Sequence, residues 1–335
     1  MAGVTKTIQQ VITRGVVPCE TFIGAVANTI AFCVWKFGSG SNSLPFSTYL
    51  AALAATDCLT CVFLGIWNMK FISTNYWISR VPNLCRFQKY FTYVALESSR
   101  TLCTVLTVER TLTILFPLKY RAQNVRKRSK YILTITLAFI SVGNIPHLLF
   151  SELDGMFMCY WGVDFKQHLN NYELIWDTVI SIFGSFFISL VCNLACIIAL
   201  RRSKVQTTTE SRTKIIQIFK RITILTSVSF MVSVSPWIYC ITINHDWSVL
   251  PSGVDKLALY RIADAILFLN SATNPLCYFI ICKPFRTVVY NGFRRLRDAV
   301  RSQIGFIHKT APTIKTETPH VTRPQTTANM ATRHV

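Results

Sequence analysis

Seven apolar stretches, each long enough to cross a lipid bilayer, divide this chain. They cover residues 17–37, 46–68, 86–116, 131–150, 173–200, 214–244 and 257–281. A hydrocarbon core about 30 Å thick requires about 20 mostly apolar residues in a helix. Only a backbone that satisfies its own hydrogen bonds is stable in lipid, so each stretch is expected to be helical. The sequence therefore predicts an all-α membrane protein, a seven-transmembrane helix bundle over residues 17–281.

Composition agrees with one membrane-embedded bundle rather than several soluble domains. The chain is 51% hydrophobic and only 15% charged, whereas soluble domains carry about 25% charged residues. Residues 1–16 contain no apolar segment, so a cleavable signal peptide is not expected and the first span is predicted to direct insertion. No repeat at the period of solenoid proteins is visible.

The placement of positive charge predicts the orientation of the chain. The net charge is +20, and nucleic-acid binding is one function such a charge can indicate. Here, however, the segments on the N-terminal side of the membrane contain six lysines and arginines, and those on the opposite side contain 21. The positive-inside rule then puts residues 1–16 outside the cell and the C-terminus in the cytosol. We interpret the charge as a topology signal, and no nucleic-acid partner is expected.

An amphipathic segment follows the seventh span. Apolar residues recur at helical spacing over 283–301 with arginines between them, a pattern typical of a helix that lies on the membrane lipid. From residue 302 to 335 the chain is rich in threonine and proline and has no periodicity, so a disordered cytoplasmic tail is predicted. Its eight threonines are candidate phosphorylation sites, and a plain solvated tail is the alternative.

Polar residues inside the apolar stretches are the strongest functional signal, because they are expensive in lipid and usually face a cavity or each other. Asp57 lies in the middle of the second span. Its candidate oxygen-bearing neighbours are Asn28, Ser99, Asn270, Ser271 and Asn274. Oxygen ligands around one carboxylate suit a sodium ion, which is the predicted bound cation. The alternative is a polar network that only holds the helices together.

Short motifs recur in the correct order along the spans. These are the segments 24–28, 53–57, 108–111, 116–118 and 274–278, Cys85 placed 25 residues before Arg110, and Phe230 placed six residues before Pro236. Together they resemble the rhodopsin-like (class A) G-protein-coupled receptors, over about residues 17–301. Within that family, 108–110 followed by 116–119 resembles invertebrate FMRFamide-type neuropeptide receptors.

The resemblance implies a role for each matching residue. Arg110 and Tyr278 would act in G-protein coupling, with Glu109 holding Arg110 at rest through a charge-assisted hydrogen bond. Residues of a conformational switch would be Phe230, Pro236, Asn274 and Pro275. Cys85 and Cys159, both on the predicted outer side, would form a disulfide. The implied partners are an extracellular ligand, a heterotrimeric G protein at the plasma membrane, and arrestin on the threonine-rich tail.

Several positions depart from the family pattern. Thr111 follows Arg110 where a tyrosine is usual, Val234 replaces a tryptophan of the sixth span, and Arg100 replaces an apolar residue. Glu97 and Arg100, three residues apart on one helix, are predicted to form a structural pair, since buried charges need partners. The fourth span also lacks the family's tryptophan, and no proline lies between positions 146 and 236.

The ligand is constrained by exclusions and by charge. Thr92 and Phe268 stand where amine receptors have an aspartate and opsins a lysine, which disfavours both classes. The predicted outer loops and their flanks carry eight acidic and three basic residues, and this charge favours a short cationic or amidated neuropeptide. The predicted contacts are Thr92, Tyr93, Trp237, Tyr260 and Asp264. A solvated acidic surface is the alternative.

Other functions remain as alternatives. A chemosensory receptor for a small molecule would have the same fold. A seven-span transporter is less favoured, because no repeat symmetry is visible. An enzyme is not expected, because the sequence lacks a His-x-x-x-His motif or clustered histidine and cysteine ligands.

Overall fold

A computed structural model describes residues 7, 10–38, 46–69, 81–116, 125–153, 159–161, 171–172, 174–202, 256–281 and 283–310. Within these ranges the architecture is helical, as the sequence predicts. Three of the described helices, at 14–37, 47–68 and 175–199, are long and apolar enough to cross a membrane. The sixth predicted span, 214–244, lies outside the described residues.

The first three spans form the best-packed part of the bundle. A π-helical turn at Ile12–Val16 leads into the first-span helix Val17–Phe37. The second-span helix is Ser47–Met69 and the third-span helix is Pro82–Leu115. Proline at the first position of the third helix fits its start, because that position needs no backbone N–H donor. At 34 residues this helix is about 51 Å long, and it contacts the second, fourth and fifth spans.

The fourth and fifth spans are each broken into two parts. The fourth consists of the helix Val125–Gly143 and a short helix Ile145–Leu149, joined at Asn144. It thus begins six residues before the predicted 131–150. The fifth is π-helical over Leu174–Gly184 and α-helical over Ser185–Arg202. Between the two spans, strands β1 (Ser151–Leu153) and β2 (Cys159–Trp161) pair antiparallel.

The seventh-span helix Lys256–Ile281 contains Pro275 in its interior and packs on the first and second spans. A further helix covers Lys283–Thr310. It extends nine residues past the predicted end at 301, because Ile304 and Ile307 continue the helical apolar spacing. Residues 1–290 form one compact unit and 291–335 a second. In the second unit the side chains of Phe293 and Val300 are exposed.

One hydrophobic core joins five spans of the first unit, with Leu133 as the contribution of the fourth. It contains Trp35 from the first span, Leu53 from the second, Leu102 from the third and Tyr278 from the seventh, together with Phe285 just beyond. Many apolar side chains on the outer faces of the helices are exposed instead. That inverted pattern is expected where the surrounding solvent is lipid, because lipid tails are as apolar as the side chains.

Candidate functional site

The centre of the bundle holds a buried polar network around Asp57. The carboxylate is fully buried. Its Oδ1 accepts a hydrogen bond from the hydroxyl of Ser99, and its Oδ2 accepts one from Nδ2 of Asn274 at 2.8 Å. The network therefore links the second, third and seventh spans. Its member on the seventh span, Asn274, directly precedes the helix-interior Pro275.

The first span reaches the same network through Asn28. Its Nδ2 donates to the backbone carbonyls of Ser271 and Gly24, both at 2.9 Å. Its Oδ1 has no hydrogen-bond partner among the described residues. Asn270, another residue predicted to belong here, is buried on the same helix as Asn274. Four spans thus converge where the sequence predicts the polar cluster.

Two of the three predicted coupling residues, Glu109 and Arg110, lie near the C-terminal end of the third-span helix, and both are buried. The carboxylate of Glu109 pairs with the guanidinium of Arg128, from the start of the fourth span. The bond between Glu109 and Arg110 that the resemblance implies stays a prediction. The pairing with Arg128 adds a partner on the neighbouring helix, which residues adjacent on one helix cannot replace because they do not face each other. Thr111, in the tyrosine's usual place, contacts the fifth span: its hydroxyl donates to the carbonyl of Cys192 at 3.2 Å.

Tyr278 packs in an aromatic cluster rather than on a polar surface. Its ring meets Trp35 at a centroid distance of 5.9 Å and Phe285 at 6.1 Å. Its hydroxyl is buried and has no hydrogen-bond partner within the described ranges. A buried hydroxyl without a hydrogen-bond partner costs free energy. A conformation that gave the Tyr278 hydroxyl a partner would therefore recover that free energy.

Glu97 belongs to a second buried network, nearer the opposite end of the third span. Its Oε2 accepts hydrogen bonds from Nδ2 of Asn144 at 2.6 Å and from Nε1 of Trp176 at 3.1 Å. Arg100 is buried one turn away, and its Nε has no hydrogen-bond partner among the described residues. Glu97 and Arg100 interact electrostatically, and the fourth and fifth spans bring further N–H donors to the acid.

The residues predicted to contact ligand are described only in part. Thr92 donates its hydroxyl to the carbonyl of Gln88 at 2.7 Å. The ring of Tyr93 stacks on His147 at 4.0 Å, and Nε2 of His147 lies 3.8 Å from Oδ2 of Asp177. Trp237, like the switch residues Phe230 and Pro236, lies outside the described residues. For Tyr260 and Asp264 the structure describes the helical backbone but not the side chains.

Cys85, at the start of the third span, is disulfide-bonded. Cys159 begins strand β2, whose backbone contacts the third-span helix, but its side chain is not described. The pairing of these two cysteines stays a prediction. No cluster of three or more histidine, cysteine, aspartate or glutamate side chains suited to a metal ion occurs in the described part of the chain.

Sequence reasoning missed Arg128, Asn144, His147 and Trp176. Each contacts a predicted residue of the third span, and each lies on another span, the fourth or the fifth. Such contacts depend on how helices face one another, and spacing along one helix does not reveal them. The one available signal was Glu97 itself: an acid inside an apolar span requires hydrogen-bond donors, and other spans can supply them.

Comparison with known proteins gives a consistent result. The family model described as "7 transmembrane receptor (rhodopsin family)" matches residues 27–278. Succinate receptor 1 of Rattus norvegicus is 24% identical over 301 residues, which cover 84% of this chain and 90% of that receptor. Chemerin-like receptor 2 of Mus musculus is 22% identical over 271 residues, which cover 76% of this chain and 72% of that receptor. Somatostatin receptor type 5 of Bos taurus is 24% identical, with 71% and 64% covered.

Proposed function

The chain belongs to the rhodopsin family of seven-transmembrane receptors, and from that premise we propose that it binds a short cationic or amidated neuropeptide and activates a heterotrimeric G protein. Membership itself implies a multi-pass receptor of the plasma membrane with an extracellular ligand and a G-protein partner. The peptide, the roles of single residues and the bound cation are proposals.

The observation that carries the signalling proposal is the network around Asp57. It ties the second, third and seventh spans through hydrogen bonds to Ser99 and Asn274. A ligand that prefers a different arrangement of these helices shifts the population toward it. Breaking one buried bond requires the others to rearrange, so the network supports a two-state switch rather than a gradual deformation.

Activation of G proteins tests the class. The receptor is expressed in cells carrying a promiscuous Gα, and calcium is read after addition of amidated neuropeptides, amines or small odorants. Arg110→Ala should abolish the response while the protein still reaches the surface, and Arg14→Ala, an exposed arginine, should leave it unchanged. A full response from Arg110→Ala would refute the coupling role. Silence toward every ligand, with normal surface expression, would direct the next measurement to constitutive activity of the receptor.

The ligand class rests on charge, since the relatives above are named for different ligands. Eight acidic residues against three basic ones on the predicted outer loops and their flanks attract a cation and steer it to the bundle. Resemblance to FMRFamide-type receptors makes amidated peptides ending in Arg-Phe the first to test. A response only to neutral small molecules would replace this proposal with a chemosensory receptor.

Asp264 is the proposed contact for the peptide's positive group. Replacing it with alanine should weaken agonist potency about tenfold or more, the loss expected when a charged hydrogen-bond partner is removed. Asp298→Ala is the matched control, because that aspartate is exposed on the helix after the seventh span. Unchanged potency in Asp264→Ala would discard this contact without affecting the coupling proposal.

Sodium is the proposed allosteric cation at Asp57. Ser99 and Asn274 donate to the two carboxylate oxygens, Ser271 also hydrogen-bonds to the carboxylate, and Oδ1 of Asn28 has no partner among the described residues. These oxygens, with Ser99, Asn270 and Asn274, fit a hard cation. Sodium should then lower agonist affinity in the native receptor but not in Asp57→Asn. Equal sodium sensitivity in both would leave Asp57 as a structural residue.

The C-terminal segment is proposed to serve arrestin. Phosphorylated threonines add negative charge that basic surfaces bind. A receptor truncated after residue 311 should keep agonist-driven G-protein activation and lose arrestin recruitment. Recruitment that survives truncation would move the arrestin site elsewhere.

A further inference from the structure

A cleft of about 400 Å³ lies between the third, fourth and fifth spans, away from the Asp57 network. This volume is within the range of small-molecule sites. Phe139, Ile180 and Ile188 line it and are about half exposed, at 59%, 47% and 49%. Exposed apolar side chains on membrane spans face lipid, so the cleft opens to the bilayer and not to the extracellular side.

One end of this cleft carries buried oxygens that lack hydrogen bonds. Glu97 lines it, is 1% exposed and contacts the carboxyl of Asp177, while its Oε1 accepts no hydrogen bond from an N–H or O–H donor among the described residues. The hydroxyl of Ser181, also in the lining, and Oδ1 of Asn144 likewise have no hydrogen-bond partner among the described residues; Nδ2 of the same Asn144 donates to Glu97. Native proteins rarely leave such groups unsatisfied. Buried oxygens without N–H or O–H donors on two residues of the lining, Glu97 and Ser181, indicate a site for a group that donates hydrogen bonds.

The charges and rings favour a cationic donor. Two carboxyl groups, Glu97 and Asp177, interact with each other and with the guanidinium of Arg100, so the polar end of the cleft combines two acids with one base. Trp176 and Phe139 lie in the lining with ring centroids 5.2 Å apart. Aromatic faces beside a carboxylate stabilise a bound ammonium. The remaining lining, including Ile132 and Val108, is apolar and suits a hydrocarbon chain.

We propose that this cleft binds a single-chain amphiphile with a protonated amine, of the long-chain-base class, which enters from the bilayer. The ammonium donates to Oε1 of Glu97 and to Ser181, and the chain lies along the third and fifth spans toward Ile188. This second site is separate from the extracellular peptide site and does not depend on the peptide proposal.

Binding to the full-length receptor in phosphatidylcholine nanodiscs tests the site. A photoreactive oleylamine carrying a diazirine should label peptides that contain 132–140 and 176–188. Oleylamine should compete at a concentration about tenfold lower than oleyl alcohol or oleic acid requires, because only the amine offers a cationic donor. Equal competition by the three would show simple partitioning of apolar chains and overturn the proposal, and preference for oleic acid would assign the cleft to an anionic lipid.

Two pairs of variants locate the site. Glu97→Gln should weaken oleylamine binding about tenfold or more, whereas Glu152→Gln, an exposed acid in β1, should bind normally. Gly184→Leu should fill the cleft, because Gly184 lines it and a Cβ there meets only the Val179 carbonyl oxygen, at 3.6 Å. Gly15→Leu is its control, with open space around it.

The glycine pair decides the question if Glu97→Gln does not fold. Native affinity in Gly184→Leu would place the amine elsewhere and overturn the proposal. Binding is measured directly, so a receptor that fails to respond to peptides still gives a clear answer.

Discussion

Gly143 is the residue on which the packing of the fourth span against the fifth depends most directly. The six-membered ring of Trp176 lies where a Cβ on Gly143 would stand. The same indole donates to Glu97 at 3.1 Å. A methyl group at Gly143 must therefore displace the indole and break a bond to a buried carboxylate.

Gly143→Ala is expected to destabilise the receptor by about 1–3 kcal/mol, the usual cost of overpacking. Thermal unfolding of detergent-purified protein measures the change. Gly15→Ala is the control: nothing lies within 4 Å of its Cβ position, and alanine in a helix stabilises by about 0.5–1 kcal/mol relative to glycine. An unchanged melting temperature for Gly143→Ala would mean that Trp176 can adopt another rotamer without loss.

Among single residues, the sequence predicted the network around Asp57 better than the network around Glu97. Asp57 meets Ser99 and Asn274, two of the partners inferred from their oxygen chemistry and their place along the spans. Glu97 meets Asn144 and Trp176, which lie 47 and 79 residues away. Helical spacing identifies neighbours on one helix, and it indicated only Arg100, three residues from Glu97. The contacts with Asn144 and Trp176 depend on how separate helices are oriented toward each other, which spacing does not show.

Among the elements, the junction of the third and fourth spans holds a charged contact that spacing could not reveal. Arg128, in the first turns of the fourth-span helix, pairs with Glu109, and the two side chains are 20% and 5% exposed. A charged hydrogen bond with so little water around it is stronger than a surface ion pair. We expect this bond to hold the two helix ends together in the state described.

Removing either partner should cost about 1–3 kcal/mol of stability. Glu109→Gln combined with Arg128→Gln should cost less than the sum of the two single changes, and a double-mutant cycle on thermal unfolding gives the coupling. Lys130→Gln, an exposed base on the same helix, is the control. Strictly additive effects would show that the two side chains act independently. Basal G-protein activity should rise in both single variants if this contact stabilises the resting receptor.

The fifth span shows a second limit of element prediction. Its apolar run was evident, yet its outer half, Leu174–Gly184, is π-helical. A π-helix adds a residue per turn and commonly occurs at functional sites. Here it brings Trp176 to Glu97 and Asp177 to within 3.8 Å of His147. Composition and periodicity do not distinguish this register from an α-helix, and the lack of proline indicated only that the usual kink was missing.

For the whole molecule, the bundle was predictable because lipid imposes one requirement on every span. Apolar length fixed where the described spans lie to within a few residues, apart from the early start of the fourth at Val125. That start is polar: residues 125–130 include four basic side chains, which extend the helix beyond the hydrocarbon. Apolar length marks the part of a helix inside lipid, and the helix itself continues into water.

Orientation is the property of the whole chain that charge alone predicts. In the predicted topology six basic residues lie on the N-terminal side of the membrane and 21 on the other, and the positive-inside rule places the second set in the cytosol. An epitope tag before residue 1 should bind antibody on intact cells. A tag after residue 335 should bind only once the membrane is permeabilised.

The paired tags also test the function. If the N-terminal tag required permeabilisation, the end of the bundle that carries Glu109 and Arg110 would face the extracellular side, where no G protein is present. The acidic loops would then lie in the cytosol, and the coupling and peptide proposals would fail together. With the predicted orientation, Arg110 faces the cytosol and the acidic loops face arriving peptide, so one charge pattern sets both the topology and the side from which each partner binds.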